Sequence, residues 1–107
     1  MIDRLSNENI IEKVNSKAVR LTEHIIFRLK QRNIDISSVK NVLLNGEIIE
    51  RYEDDYPHPS CLVLGISENN TPLHVVCGVG ETEIWLITSY YPNLIEWEND
   101  YKSRKGK

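Results

Sequence analysis

At Asn45-Gly46 the spacing of apolar residues changes character, and this change constrains the fold more than any other feature of the chain. Upstream, apolar side chains recur three and four positions apart; downstream they alternate or run in short blocks bounded by turn formers. Residues 5–16 set Ile10, Ile11 and Val14 at helical spacing behind the polar starter Ser6-Asn7-Glu8. Thr22 can cap a second helix, with Glu23 in its first turn favoured by the positive end of the helix dipole. That helix should end near Arg32, because Asn33 is a common turn former. A third begins at Ser37, carries Val39, Val42 and Leu43 on one stripe, and stops at Asn45-Gly46. There a glycine tolerating positive φ is expected to supply the C-cap.

Beyond Gly46 the candidate strands are 47–52, 60–67, 72–79 and 82–90. The links between them are short and rich in turn residues, which predicts a four-stranded antiparallel meander. In the third strand Leu73, Val75, Cys77 and Val79 share one face, and His74, Val76 and Gly78 the other. Neither face is fully polar, so helices should cover at least one of them. Pro92-Asn93 ends the last strand and opens a final helix, with Asn93 and Glu96 at capping-box spacing and Leu94, Trp97 and Tyr101 as its apolar stripe. The basic tail from Lys102 to Lys107 should fray. The expected class is α+β: N-terminal helices packed on a four-stranded antiparallel sheet, with a C-terminal helix.

A chain of 107 residues fits one domain. Thirteen Lys+Arg against sixteen Asp+Glu leave a net charge of −3, so no global positive field draws it toward nucleic acid or an anionic membrane. Any anion site must be local. No apolar run approaches the roughly 18 residues of a membrane span, and MIDRLSNENI lacks the apolar core of a signal peptide, so a cytoplasmic protein without membrane attachment is expected. Cys61 and Cys77 lie in apolar contexts without CxxC spacing, which predicts reduced, buried thiols.

In the second helix His24, Arg28 and Arg32 recur at i, i+4 and i+8, an arc of about 80° beside the apolar stripe Leu21, Ile25 and Leu29. Such a stripe suits a phosphate, since arginine offers paired donors and histidine exchanges a proton near neutral pH. The plainer reading pairs the two arginines with Glu23, Asp35 or Glu47 and lays their stems over Ile25 and Leu29. His74, inside an apolar strand, needs a hydrogen-bond partner if buried, and a lone strand histidine is more often a satisfied structural group than a catalyst. Thr88 and Tyr90 alternate on one face of the last strand with Ile84 and Leu86; their hydroxyls can bind phosphate, and both residues are also ordinary strand formers.

The stretch RYEDDYPHPS carries three acids and a histidine held between prolines, and reads as a solvated loop. No HxH, HExxH or DxDxDG spacing points to a metal. GxSxG and phosphate-cradling glycine loops are also missing, which disfavours serine hydrolase and nucleotide triphosphate chemistry. No metal or cofactor is expected.

The segments TEHIIFRLKQRNIDISSVKNVLLNGEIIERYEDDYPHPSCLVLG, PLHVVCGV and IWLITSYYPNLIEWENDYKSRK resemble, as an ordered set, an uncharacterised bacterial domain family. That family is often encoded beside a YgiT-type (MqsA-like) zinc-finger protein in the arrangement of a toxin–antitoxin pair. The likeness spans residues 21–104 and leaves 1–20 as an N-terminal helical extension. It implies a fold of the barnase/EndoU/colicin/RelE ribonuclease type, metal-independent cleavage of RNA by 2′-hydroxyl attack, and a zinc-finger antitoxin as partner.

On this resemblance His24 and His74 are the proton carriers and Arg28 holds the phosphate, with Arg32 a second cation and Thr88 and Tyr90 as phosphate contacts. Arg51 and the basic tail would extend the cationic strip, and Tyr52, Tyr56, Tyr90 and Tyr91 can stack bases. The acidic balance and the loop Glu53 to Asp55 run against this reading. The same residues fit a non-catalytic protein- or RNA-binding module in which both histidines are structural. Convergence of His24, Arg28, His74 and Thr88 or Tyr90 on one open groove would favour catalysis; histidines buried apart would favour binding.

Overall fold

Three helices and five strands follow one another in a computed structural model that describes residues 3–106. The last residue of the expected basic tail, Lys107, lies outside the described residues. The helices are α1 (Asn7–Asn15), α2 (Glu23–Gln31) and α3 (Ile36–Asn45). The strands are β1 (Val19–Arg20), β2 (Glu47–Tyr52), β3 (Ser60–Ile66), β4 (Pro72–Val79) and β5 (Ile84–Tyr90).

The first two helices begin where the hydroxyl caps predict. Ser6 Oγ accepts from the Asn9 amide at 3.2 Å and Thr22 Oγ1 from the Ile25 amide at 3.1 Å, each satisfying a donor that the first turn leaves unpaired. For α3 the capping residue is Asp35, without a side-chain bond.

Strands β2 to β5 form the expected antiparallel meander, but the sheet has five strands in the order β1-β5-β4-β3-β2. The added strand, β1, runs parallel to β5, pairing Val19 with Ile84 and Arg20 with Trp85. Two residues show no period, so its existence depends on the partner edge alone.

The helices cover one face only. Ile10 and Val14 of α1, Ile25 and Leu29 of α2, and Val39, Val42 and Leu43 of α3 join a single core with Cys61, Val63, Val75, Cys77, Ile84 and Leu86. Leu5, ahead of α1, belongs to the same core. Cys61 and Cys77 are cross-strand partners within it, both free thiols, with sulfurs 3.9 Å apart.

Glycine at position 46 serves a purpose other than the expected one. Its φ is −85°, so no left-handed cap exists there. A Cβ at Gly46 would instead collide with the Leu64 carbonyl oxygen and stand 2.6 Å from that of Val42. Glycine is required because α3 turns directly into β2 against the neighbouring strand. Gly65 performs a similar service, since a Cβ there would touch the Val42 Cα at 3.0 Å.

On the second face Leu62 and His74 are buried, and Trp97 packs edge-on against His74. Their cover is the segment after β5, which is not the expected C-terminal helix. Asn93 does start a turn: its Oδ1 accepts from the amides of Ile95 and Glu96, and its carbonyl from the Trp97 amide. The turn does not propagate, because a single turn gains too little to offset its nucleation and Trp97 gains more by burial against the sheet. The chain then doubles back, with Trp97 bridged to Arg104 and Tyr101 at φ 58° in the bend. Asp100 accepts from the amides of Lys102 and Ser103 and closes this loop, so the segment through Arg104 is an ordered strap.

Candidate functional site

Strand β4 places His74 on the second face, opposite Leu64 of β3 and Tyr90 of β5. Tyr90 reaches that face because β5 slips register between its pairings with Val76 and Cys77. Ile87 is the extra residue, so Ile84 and Leu86 keep to the helix-side core while Thr88 and Tyr90 switch to the second face. The common face expected for these four residues is therefore split by one bulge.

His74 is 0% exposed, and both ring nitrogens are engaged. Nε2 lies 2.8 Å from the Tyr101 carbonyl oxygen, which can only accept, so this nitrogen carries the proton in the neutral ring. Nδ1, 3.2 Å from the Tyr90 hydroxyl, is then the acceptor. The Trp97 ring meets the imidazole edge-on at 4.6 Å. Burial lowers the His74 pKa; the Tyr101 carbonyl and the charge of Glu50 act in the opposite direction, and the Arg104 charge reinforces the lowering.

Charged residues on β2 hold the strap above this cluster. Arg104 donates to both Glu50 carboxylate oxygens at 2.8 and 2.9 Å, and its guanidinium lies 4.5 Å over the Trp97 ring. The arginine hydrogen bond keeps Glu50 below its ordinary value. Tyr52 donates its hydroxyl to the same carboxylate; burial and this acceptor push its pKa up to about 12. Lys102 pairs with Glu47 at 2.9 Å.

The stripe on α2 lies elsewhere. His24 and Arg28 are exposed, and their side chains have no hydrogen-bond or salt-bridge partner among the described residues. Arg32 does not seek a carboxylate: Nη1 donates to Thr88 Oγ1 at 3.1 Å and to the Ser89 carbonyl at 2.8 Å. It thereby covers the part of β5 that extends past β1.

The candidates thus fall into separate groups. Arg32 meets Thr88, His74 meets Tyr90, and neither exposed His24 nor Arg28 meets His74. Arg51 is on β2, at the opposite edge of the sheet from β1, and donates to the Leu5 carbonyl at 3.3 Å. With Lys102 and Arg104 bound to Glu47 and Glu50, no continuous cationic strip joins α2 to the tail among the described residues.

An open groove of about 410 Å³ lies on the uncovered half of the second face, between Trp85 and Ile87 of β5 and Tyr56, Pro57 and His58 of the β2–β3 loop. Gly78, opposite Trp85 in the register, leaves the space that a side chain on β4 would fill. Trp85 is 37% exposed, Ile87 47% and Tyr56 91%. Sequence reasoning treated this loop as solvated and missed the groove. The available signal was the outward parity of Trp85, with glycine as its cross-strand neighbour.

Among the described residues, no three His, Cys, Asp or Glu side chains cluster to hold a metal ion. Among the same residues no helix is long and apolar enough to cross a membrane. The sequence model of a family described as a domain of unknown function, DUF4258, matches residues 21–91, more than half of the chain. No curated protein and no solved structure matches.

Proposed function

The chain belongs to the DUF4258 family of domains of unknown function, and from that premise we propose that it is a protein-binding module rather than a two-histidine catalyst. The supporting observation is the state of His74. It is sealed beneath Trp97 with one nitrogen on the Tyr101 carbonyl and the other on Tyr90, so its hydrogen bonds are spent on holding the strap to the sheet. A proton carrier needs access to the reacting group, whereas a buried, fully bonded imidazole stabilises structure. An exposed apolar surface open to a partner is the groove beside Trp85 and Ile87.

The contact of Arg32 with Thr88 favours a second reading. In that reading the domain is the toxin of a toxin–antitoxin pair, of the RelE/barnase type, cleaving RNA without a metal by 2′-hydroxyl attack and neutralised by a zinc-finger antitoxin. His24 would exchange the proton, Arg28, Arg32 and Thr88 would hold the phosphate, and His74 would position Tyr90.

Induced expression in bacteria without a neighbouring antitoxin gene separates the two. Normal growth with intact transcripts, at high levels of folded protein, supports the binding module. Growth arrest with new RNA ends, abolished by His24→Ala in a folded variant, overturns it in favour of the ribonuclease.

A further inference from the structure

The groove on the open half of the second face combines apolar walls with an acidic rim. Trp85 and Ile87 project outward from β5, and Tyr56 and Pro57 face them across the gap above Gly78. Of the acids, Asp55 on the loop and Glu83 at the other end line the groove; Glu53 and Asp54 precede Asp55 in the chain, and Glu81 borders the adjoining cleft beside His58 and Glu83. Two of these acids are already paired, Glu81 with Arg4 at 3.2 Å and Glu83 with Arg20 at 2.8 Å. Asp55 accepts from Ser60 Oγ at 2.6 Å. None of the three loop acids has a cationic partner among the described residues, so the rim keeps a negative excess in a chain already at −3.

Resting on the binding-module reading, we propose that this groove holds a cationic, apolar segment of a partner protein. An arginine or lysine would lie against the Trp85 and Tyr56 rings beneath the loop carboxylates, and a neighbouring aliphatic residue would pack on Ile87. An exposed indole and phenol provide electron-rich faces for such a cation, and the carboxylates supply the complementary charge. The same rim repels a phosphate backbone, which argues against RNA as the occupant.

The test uses the full chain and three probes: a peptide of alternating arginine and leucine, its glutamate–leucine counterpart, and a short oligouridine, followed by tryptophan fluorescence and by NMR of the Trp85 indole N–H. The arginine peptide should bind saturably and shift the Trp85 signal, while the glutamate peptide should not. The surface variants Glu53→Lys with Asp54→Lys, and separately Ile87→Asp, should each weaken it by roughly tenfold or more. Both sites are exposed, so unchanged melting confirms that the variants remain folded.

Arginine-peptide binding that both variants leave intact would place the peptide elsewhere and overturn this site, while the binding-module reading stands. Absence of arginine-peptide binding overturns the assigned chemistry. Oligouridine binding at Trp85 would replace the peptide with RNA. A Trp85 shift that grows with protein concentration alone would make a second copy of the chain the occupant. The expression assay above reads the parent proposal independently.

Discussion

Replacing Trp97 with alanine tests whether the strap is part of the folded core or only rests on it. The side chain is 2% exposed, edge-on to His74 at 4.6 Å, with the Arg104 guanidinium 4.5 Å above its ring. A buried tryptophan removes about 150–250 Å² from water, which at about 25 cal/mol per Å² amounts to roughly 4–6 kcal/mol. Measured truncations of buried aromatics cost about 3–5 kcal/mol, the range expected here. The loss should not stop at the cavity, because the Tyr101 carbonyl and the Arg104 contact reach the sheet through the same strap. Once it loosens, the His74 Nε2–H gains access to water. Urea denaturation followed by far-UV circular dichroism should show the destabilisation as a lower midpoint. At about 4–8 °C per kcal/mol, the melting temperature should fall by at least about 12 °C. Proton NMR should show the imidazole of Trp97→Ala titrating closer to its ordinary value. A loss below about 1 kcal/mol with an unchanged imidazole titration would refute the reasoning, since a buried core side chain cannot be removed so cheaply.

Other consequences follow from single contacts. Gly46→Ala should be destabilising at or above the upper end of the about 1–3 kcal/mol typical of overpacking, because the added Cβ meets two backbone oxygens that cannot swing aside; wild-type stability in chemical denaturation would contradict this. Acidification should lower stability from about pH 6.5 downward, because burial depresses the folded His74 pKa and the unfolded chain takes up its proton first. Glu50, also depressed, adds a second loss below about pH 4.5, so urea midpoints between about pH 7 and 5 isolate the histidine. His74→Gln should flatten that interval, and a midpoint that rises on acidification would reverse the sign. Arg32→Ala should cost about 1 kcal/mol by uncovering the Ser89 carbonyl and Thr88, and Thr88→Val less, since the carbonyl bond survives; equal losses in the two variants would refute that division.

Local patterns settled much of the architecture. The period change at Gly46, the hydroxyl caps Ser6 and Thr22 and the short turns between strands are legible because each depends on neighbours a few residues away. They anticipate α1, α2, α3 and the four-stranded meander. Residues able to carry chemistry can be named from the sequence, but how they group cannot. His74 could be recognised as needing a partner; that the partner is the Tyr101 carbonyl required the strap to fold back across the sheet. Asn93 and Glu96 begin a helical turn as their spacing suggests, yet Trp97 is drawn under by a contact with a strand far away in the chain.

One residue shows the limit most sharply. Parity along β5 assigns Thr88 and Tyr90 to the face of Ile84 and Leu86, and the bulge at Ile87 moves them to the other, because side chains alternate with a period of two and a single insertion inverts every position beyond it. The groove arises in the same way, from Gly78 lying opposite Trp85 while a loop far back in the chain, carrying Tyr56, Pro57 and His58, supplies the facing wall. By itself the sequence determined the three helices ahead of Gly46, the four strands of the meander and many of the side chains that seek burial, since those preferences act over one or two turns of chain. Only the tertiary structure decided which chemical groups meet, because that depends on strand register, on β1 finding the edge of β5, and on the competition between one turn of helix and the burial of one tryptophan.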